Sequence, residues 1–102
     1  MDSPQRRTRR QALGDHLAER EWSFEELRST FAIPVHLLED DLRHLERSLR
    51  RTGARLEVTP PRCRDCDFRF RKRAPSRFHK PGRCPRCRGE HIVDTQLEIV
   101  GA

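Results

Sequence analysis

The chain has 102 residues, 33% hydrophobic and 37% charged, with 22 Lys+Arg against 16 Asp+Glu for a formal net charge of +6. That length holds one small domain or two mini-domains and leaves no room for a large enzyme with a deep cleft. No stretch approaches the ~20 apolar residues of a membrane span, and Met1-Asp2-Ser3-Pro4-Gln5-Arg6-Arg7 lacks the apolar core of a secretory signal, so a cytoplasmic address is expected.

Residues 1–7 read as a disordered basic tail. Thr8 and Gln11 have the spacing of a capping box, and Ala12, Leu13, Leu17 and Ala18 recur with helical period, which predicts a first helix over 9–20. Ser23 and Glu26 form a second such box. It opens a short helix over 24–30, with Leu27 and Phe31 four residues apart and Phe24 beside them. Ala32-Ile33 makes a turn, and Pro34 suits the first position of a helix over 34–51. Leu38, Leu42, Leu45 and Leu49 give this third helix one apolar stripe, which fits a core face better than a partner helix. Glu39, Asp40 and Asp41 lie near its start and Arg47, Arg50 and Arg51 near its end, the order a helix dipole favours. Gly53 is the expected stop. Arg55-Leu56-Glu57-Val58-Thr59 alternates like a strand, and Pro60-Pro61 ends it. Three helices with a tight turn between the second and third match a helix-turn-helix unit, and the strand that follows directly makes it winged-helix-like.

All four cysteines lie beyond this point, as Cys63-Arg64-Asp65-Cys66 and Cys84-Pro85-Arg86-Cys87. Two CxxC turns at this separation form the strongest motif of the chain, because each turn aims two thiolates at one ion and the second turn completes a tetrahedron. One structural zinc ion is the expected cofactor. Disulfides and a rubredoxin-like iron site that carries electrons are the alternatives. His79 and His91 flank the motif, but four cysteines already complete a ligand set. From residue 60 onward the large apolar residues are Phe68, Phe70, Phe78, Ile92, Val93, Leu97, Ile99 and Val100, a core too small to fold readily without a metal.

The excess charge is local. Residues 1–59 carry eleven basic and eleven acidic side chains, so the whole surplus falls in residues 60–102. In Phe68-Arg69-Phe70-Arg71-Lys72-Arg73 the phenylalanines are expected to pack over the metal site, leaving Arg69, Arg71, Lys72 and Arg73 to meet phosphate.

The order of helix-turn-helix, a long third helix containing Asp41-Leu42-Arg43-His44-Leu45, a strand ending Pro60-Pro61-Arg62-Cys63 and a four-cysteine ribbon resembles a family of predicted transcriptional regulators. In that family a helix-turn-helix (winged-helix) domain is fused to a zinc ribbon. The resemblance covers about residues 8–100. It implies an α+β fold with a three-helix winged-helix unit over 8–60, followed by a small antiparallel zinc ribbon with a C-terminal strand over 61–102. It also implies that Cys63, Cys66, Cys84 and Cys87 hold the zinc and that the third helix is a recognition helix. Asp67 stands where zinc knuckles commonly place glycine, and Asp tolerates the left-handed backbone better than most residues.

Recognition helices usually read bases with their first residues, yet here those include Glu39, Asp40 and Asp41. The candidate DNA contacts on this helix are therefore His36, Arg43, Arg47, Arg50 and Arg51, with Glu39–Arg43 equally readable as an ordinary surface pair. Double-stranded DNA is the expected partner, gripped also by an arm of Arg6, Arg7, Arg9 and Arg10. An adaptor that docks a protein of the transcription or RNA-processing machinery is the alternative. No small-molecule substrate is evident, and a monomer or a homodimer fits equally. Catalysis is not expected, since the histidines form no motif with Ser or Cys and there is no Gly-rich phosphate loop. A wing needs two strands. Gln96-Leu97-Glu98-Ile99-Val100 alternates well enough to return and pair with residues 55–59, which would make the ribbon an insertion at the wing tip.

Overall fold

The leucine stripe of the third helix organises the core of the computed structural model, which describes residues 4–70 and 78–101. The elements are α1 (Pro4–Glu19), β1 (Trp22–Ser23), α2 (Phe24–Phe31), α3 (Val35–Leu49), β2 (Arg55–Thr59), β3 (Arg62–Cys63), β4 (Ile92–Val93) and β5 (Gln96–Val100). Leu38 and Leu42 of α3 are buried against Leu13 and Leu17 of α1 and Phe24 and Leu27 of α2. Leu56 and Leu97 close the core from the sheet, and Leu45 and Leu49 pack at its edge. Each such side chain contributes roughly 1.5–3 kcal/mol by leaving water.

Helix α1 begins at Pro4, not at Arg9, so residues 4–7 belong to a helix and not to a tail. Proline is favoured in the first helical turn because its missing N–H has no partner there in any case. Thr8 and Gln11 consequently fall inside the helix and not at its cap. The early turns of α1 are tied to α3: Arg9 Nε donates to Asp41 Oδ2 at 2.6 Å and Arg10 Nε to Asp41 Oδ1 at 3.0 Å. Arg9 and Arg10 are thus engaged with the protein itself and do not form a loose arm.

The second capping box is present as expected. Ser23 Oγ accepts from the Glu26 N–H at 3.1 Å, and Glu26 Oε1 accepts from the Ser23 N–H at 2.9 Å. Residues just before the last strand complete the start of α2, with Asp94 Oδ2 accepting from the Glu25 N–H at 2.9 Å and the Thr95 carbonyl from the Phe24 N–H at 3.0 Å. The turn into α3 uses Ala32 in the left-handed region (φ 51). Pro34 is the N-cap of α3, one position before the helix proper, and α3 ends at Leu49 with Arg50 as its C-cap. Gly53, at φ +80, belongs to the turn into β2 and does not end the helix.

The final strand is antiparallel to β2, with Leu56 opposite Ile99 and Val58 opposite Leu97. These pairs share the face that meets the helices. Strand β1 pairs with the other edge of β5, giving the order β1-β5-β2. This is the winged-helix arrangement, and the ribbon is an insertion between its two long strands. The ribbon therefore does not follow the helical unit as a separate 61–102 segment, because its C-terminal strand is the centre of the helical unit's sheet. Strands β3 and β4 form the ribbon's own small sheet, with Cys63 opposite Ile92.

Candidate metal centre and basic face

Two turns of the same design bring the cysteines together. The Cys63 N–H donates to the Phe68 carbonyl at 2.8 Å and the Asp67 N–H to the Cys63 carbonyl at 2.9 Å. The Cys84 N–H likewise donates to the Gly89 carbonyl and the Arg88 N–H to the Cys84 carbonyl, both at 2.9 Å. The residue after the second cysteine is left-handed in both turns, Asp67 and Arg88 each at φ 61. Gly89 keeps this turn close to its neighbours: a Cβ there would lie 3.2 Å from Cys87 Sγ and 2.6 Å from Asp65 Oδ2, displacing the Asp65 carboxylate.

The four Sγ atoms lie within 4.8 Å of one another and form a cluster able to hold a metal ion. Cys63 Sγ is 3.5 Å from Cys87 Sγ and Cys66 Sγ is 3.6 Å from Cys84 Sγ, too far for disulfides and close to the edge of about 3.8 Å that a tetrahedron of 2.3 Å metal–thiolate bonds requires. All four are free cysteines. The N–H groups of Arg86 and Gly89 point at Cys84 Sγ and Cys87 Sγ, each at 3.4 Å, an orientation that favours thiolates. Burial opposes ionisation of Cys84, but the Cys87 and Arg86 N–H groups and the neighbouring sulfurs bring its thiol down to about 7. Cys87 behaves oppositely: the Gly89 N–H favours its thiolate, yet the other sulfurs push it up to about 12. Four thiolates this close repel one another, and a cation among them lets all four ionise.

Phe68 and Phe70 pack against the cluster, edge to face with centroids 5.1 Å apart, as the alternating segment suggests. The histidines are not among the clustered ligands. His91 Nδ1 is 2.9 Å from Asp65 Oδ2, bridging the two halves of the ribbon, and His79 Nδ1 is 2.9 Å from Glu39 Oε2 on α3. That carboxylate also accepts the Phe78 N–H at 2.8 Å. Phe78, expected in the ribbon core, is instead buried among the helices, and Leu97 joins it there. The ribbon's own apolar cluster is correspondingly small, with Cys63, Cys84 and Ile92 at its centre.

Along α3, helical period places His36, Arg43 and Arg47 on the side away from the leucine stripe, with Arg50 at the C-cap and Arg51 in the turn that follows. His36, Arg47, Arg50 and Arg51 are exposed and Arg43 is half-buried. Arg43 pairs with Asp40, not with Glu39. Arg69 is exposed and bridges backbone to backbone with Arg62, while Arg71, Lys72 and Arg73 lie outside the described residues. Local sequence patterns do not reveal Asp41 and Glu39 as internal partners or Phe78 as a core residue. Nor do they single out His44, which lies between Arg43 and Arg47 in a groove of about 270 Å³. Among the described residues no helix is long and apolar enough to cross a membrane.

Fold and centre together define a class: an α+β domain of three helices and small antiparallel sheets, with a four-cysteine cluster of zinc-ribbon form. No family model matches the chain, and no curated protein does. Among solved structures, the solution NMR structure of protein PF0610 from Pyrococcus furiosus is similar over 100% of this chain and 95% of its own, with a TM-score of 0.76 and 24% sequence identity. At that identity the likeness shows the fold alone.

Proposed function

We propose that this chain is a DNA-binding protein, a transcriptional regulator in which a winged-helix unit carries a structural zinc ribbon. The observation that carries the reading is the solvent side of α3, where His36, Arg43 and Arg47 lie opposite the leucine stripe and Arg50 and Arg51 follow at its end. In a helix-turn-helix the corresponding helix lies in the major groove. The resemblance to regulators with a ribbon-fused winged helix supports the same reading, and a cytoplasmic location goes with it. The surplus basic charge of residues 60–102, Arg69, Arg71, Lys72 and Arg73 included, adds a second surface for phosphate.

The metal belongs to the architecture in this reading. Four thiolates at this spacing favour zinc, and a site of four cysteines leaves no open position for a water, so the ion stabilises and does not catalyse. Its binding supplies roughly 10–16 kcal/mol that acts as folding free energy. Elemental analysis should return one zinc per chain, whereas a coloured protein would indicate iron and electron transfer.

The functional test is selection from a pool of random duplexes with the metal-loaded chain. Retention and enrichment of related duplexes is the expected result. Failure to retain any duplex, together with a protein that stays bound after nuclease treatment, would replace this reading with the adaptor.

A further inference from the structure

We propose that the C-terminal half of α3 and the turn that follows it carry a phosphate site formed by His44, Arg47 and Arg51, which anchors the helix to the DNA backbone independently of sequence. The inference rests on the DNA-binding reading above and specifies which part of the helix takes the backbone.

The first half of α3 is committed elsewhere. Glu39 is occupied by the Phe78 N–H and His79. Asp40 pairs with Arg43. Asp41 is fully buried and holds Arg9 and Arg10. These three carboxylates therefore serve the fold. From residue 44 onward Glu46 is the one carboxylate against Arg47, Arg50 and Arg51, so the end of the helix and the turn after it keep a net positive charge, and Glu46 does not line the groove described next.

There, His44, Arg47, Ser48 and Arg51 line a shallow groove of about 240 Å³, with no carboxylate among the described residues of its wall. His44, Arg47 and Ser48 share one side of the helix by their spacing of three and four residues, and Arg51, in the turn just past its end, closes the same groove. Ser48 Oγ already donates to the His44 carbonyl at 3.1 Å, so the donors for an incoming anion are the imidazole and the two guanidiniums. An arginine can fork onto the two non-bridging oxygens of a phosphodiester, so Arg47 and Arg51 can each neutralise one backbone phosphate, and the His44 imidazole N–H can donate to an oxygen that one of them shares. The ligand class that fits is a phosphodiester, whose contacts position a protein without reading bases. Sequence preference would then come from other residues, His36 and Arg43 among them.

Fluorescence anisotropy with two labelled duplexes of unrelated sequence tests this, using the metal-loaded chain and the variants Arg47→Gln, Arg51→Gln, His44→Ala and His36→Ala. Arg47 and Arg51 are exposed, and thermal melts confirm that each variant folds. Each of the Arg47, Arg51 and His44 substitutions should weaken binding to both duplexes by the same factor, about three- to tenfold. Each arginine change should also reduce the slope of log affinity against log salt by about one. His36→Ala should leave the slope unchanged. If the parent binds and the Arg47 and Arg51 variants keep its affinity and slope, the phosphate site is wrong while DNA binding stands. An effect confined to one duplex would assign these residues to base reading and also overturn the proposal. If the parent binds neither duplex at any salt, both readings fall.

Discussion

Asp41 illustrates how one residue type can mean two things. Its sequence position suggests an acid near a helix start that favours the dipole from the surface, but the first turn of α3 holds no acid and Asp41 lies beyond it. In the fold it is fully buried and accepts from Arg9 and Arg10. A buried pair of this kind is weak evidence of net stability, but removing one partner leaves uncompensated charge. Asp41→Ala should therefore cost about 3–5 kcal/mol in urea unfolding, whereas loss of an exposed acid such as Glu57 should cost little. Equal costs would show that the Arg9–Arg10 contact does not hold α1 in place. The cysteines were legible because CxxC spacing has few physical meanings. Asp67 was legible because a left-handed position admits few residues, although Arg88 occupies the same conformation in the second turn with no such warning. Asp41 was not legible, since burial depends on how α1 crosses α3 and no local pattern encodes that.

At the scale of elements, the helices with strong apolar period were the readable ones. The leucine stripe of α3 and the Ser23–Glu26 box of α2 stand where expected. Strand β1 has two residues and shows no period, so nothing marked it. Phe78 escapes a local reading for a related reason: it lies in sequence between the two cysteine pairs, but its neighbours in space are helices. Phe78 and Glu39 join the ribbon to α3 by one buried ring and one carboxylate. Phe78→Ala should thus destabilise the helical unit by about 3–5 kcal/mol while the chain still binds one metal ion through its unchanged cysteines. Urea unfolding followed by circular dichroism, with metal content measured in parallel, checks both parts. A silent substitution would mean that the ribbon is only tethered to the helices.

Over the whole molecule, the strand order decides what kind of object this is. Because β5 pairs with both β1 and β2, the ribbon is enclosed by the winged-helix unit and its two ends are fixed by one sheet. The alternation of residues 96–100 predicts that pairing, and with it the ribbon as an insertion, whereas a division into two consecutive segments at residue 60 does not describe it. Charge follows the same organisation. The +6 surplus lies in residues 60–102, and a zinc ion held by four thiolates lowers it by two, leaving a moderately basic insertion beside a neutral helical unit with one basic helix side. A DNA binder built this way relies on a few well-placed phosphate contacts. The most direct measurement is the affinity of the metal-loaded chain for duplex DNA as salt is raised from about 50 to about 200 mM. With Arg47 and Arg51 each neutralising one phosphate, log affinity should fall linearly with log salt, by about 12-fold or more over that range. Absence of binding at the lower salt, or an affinity that does not change across the range, would contradict it.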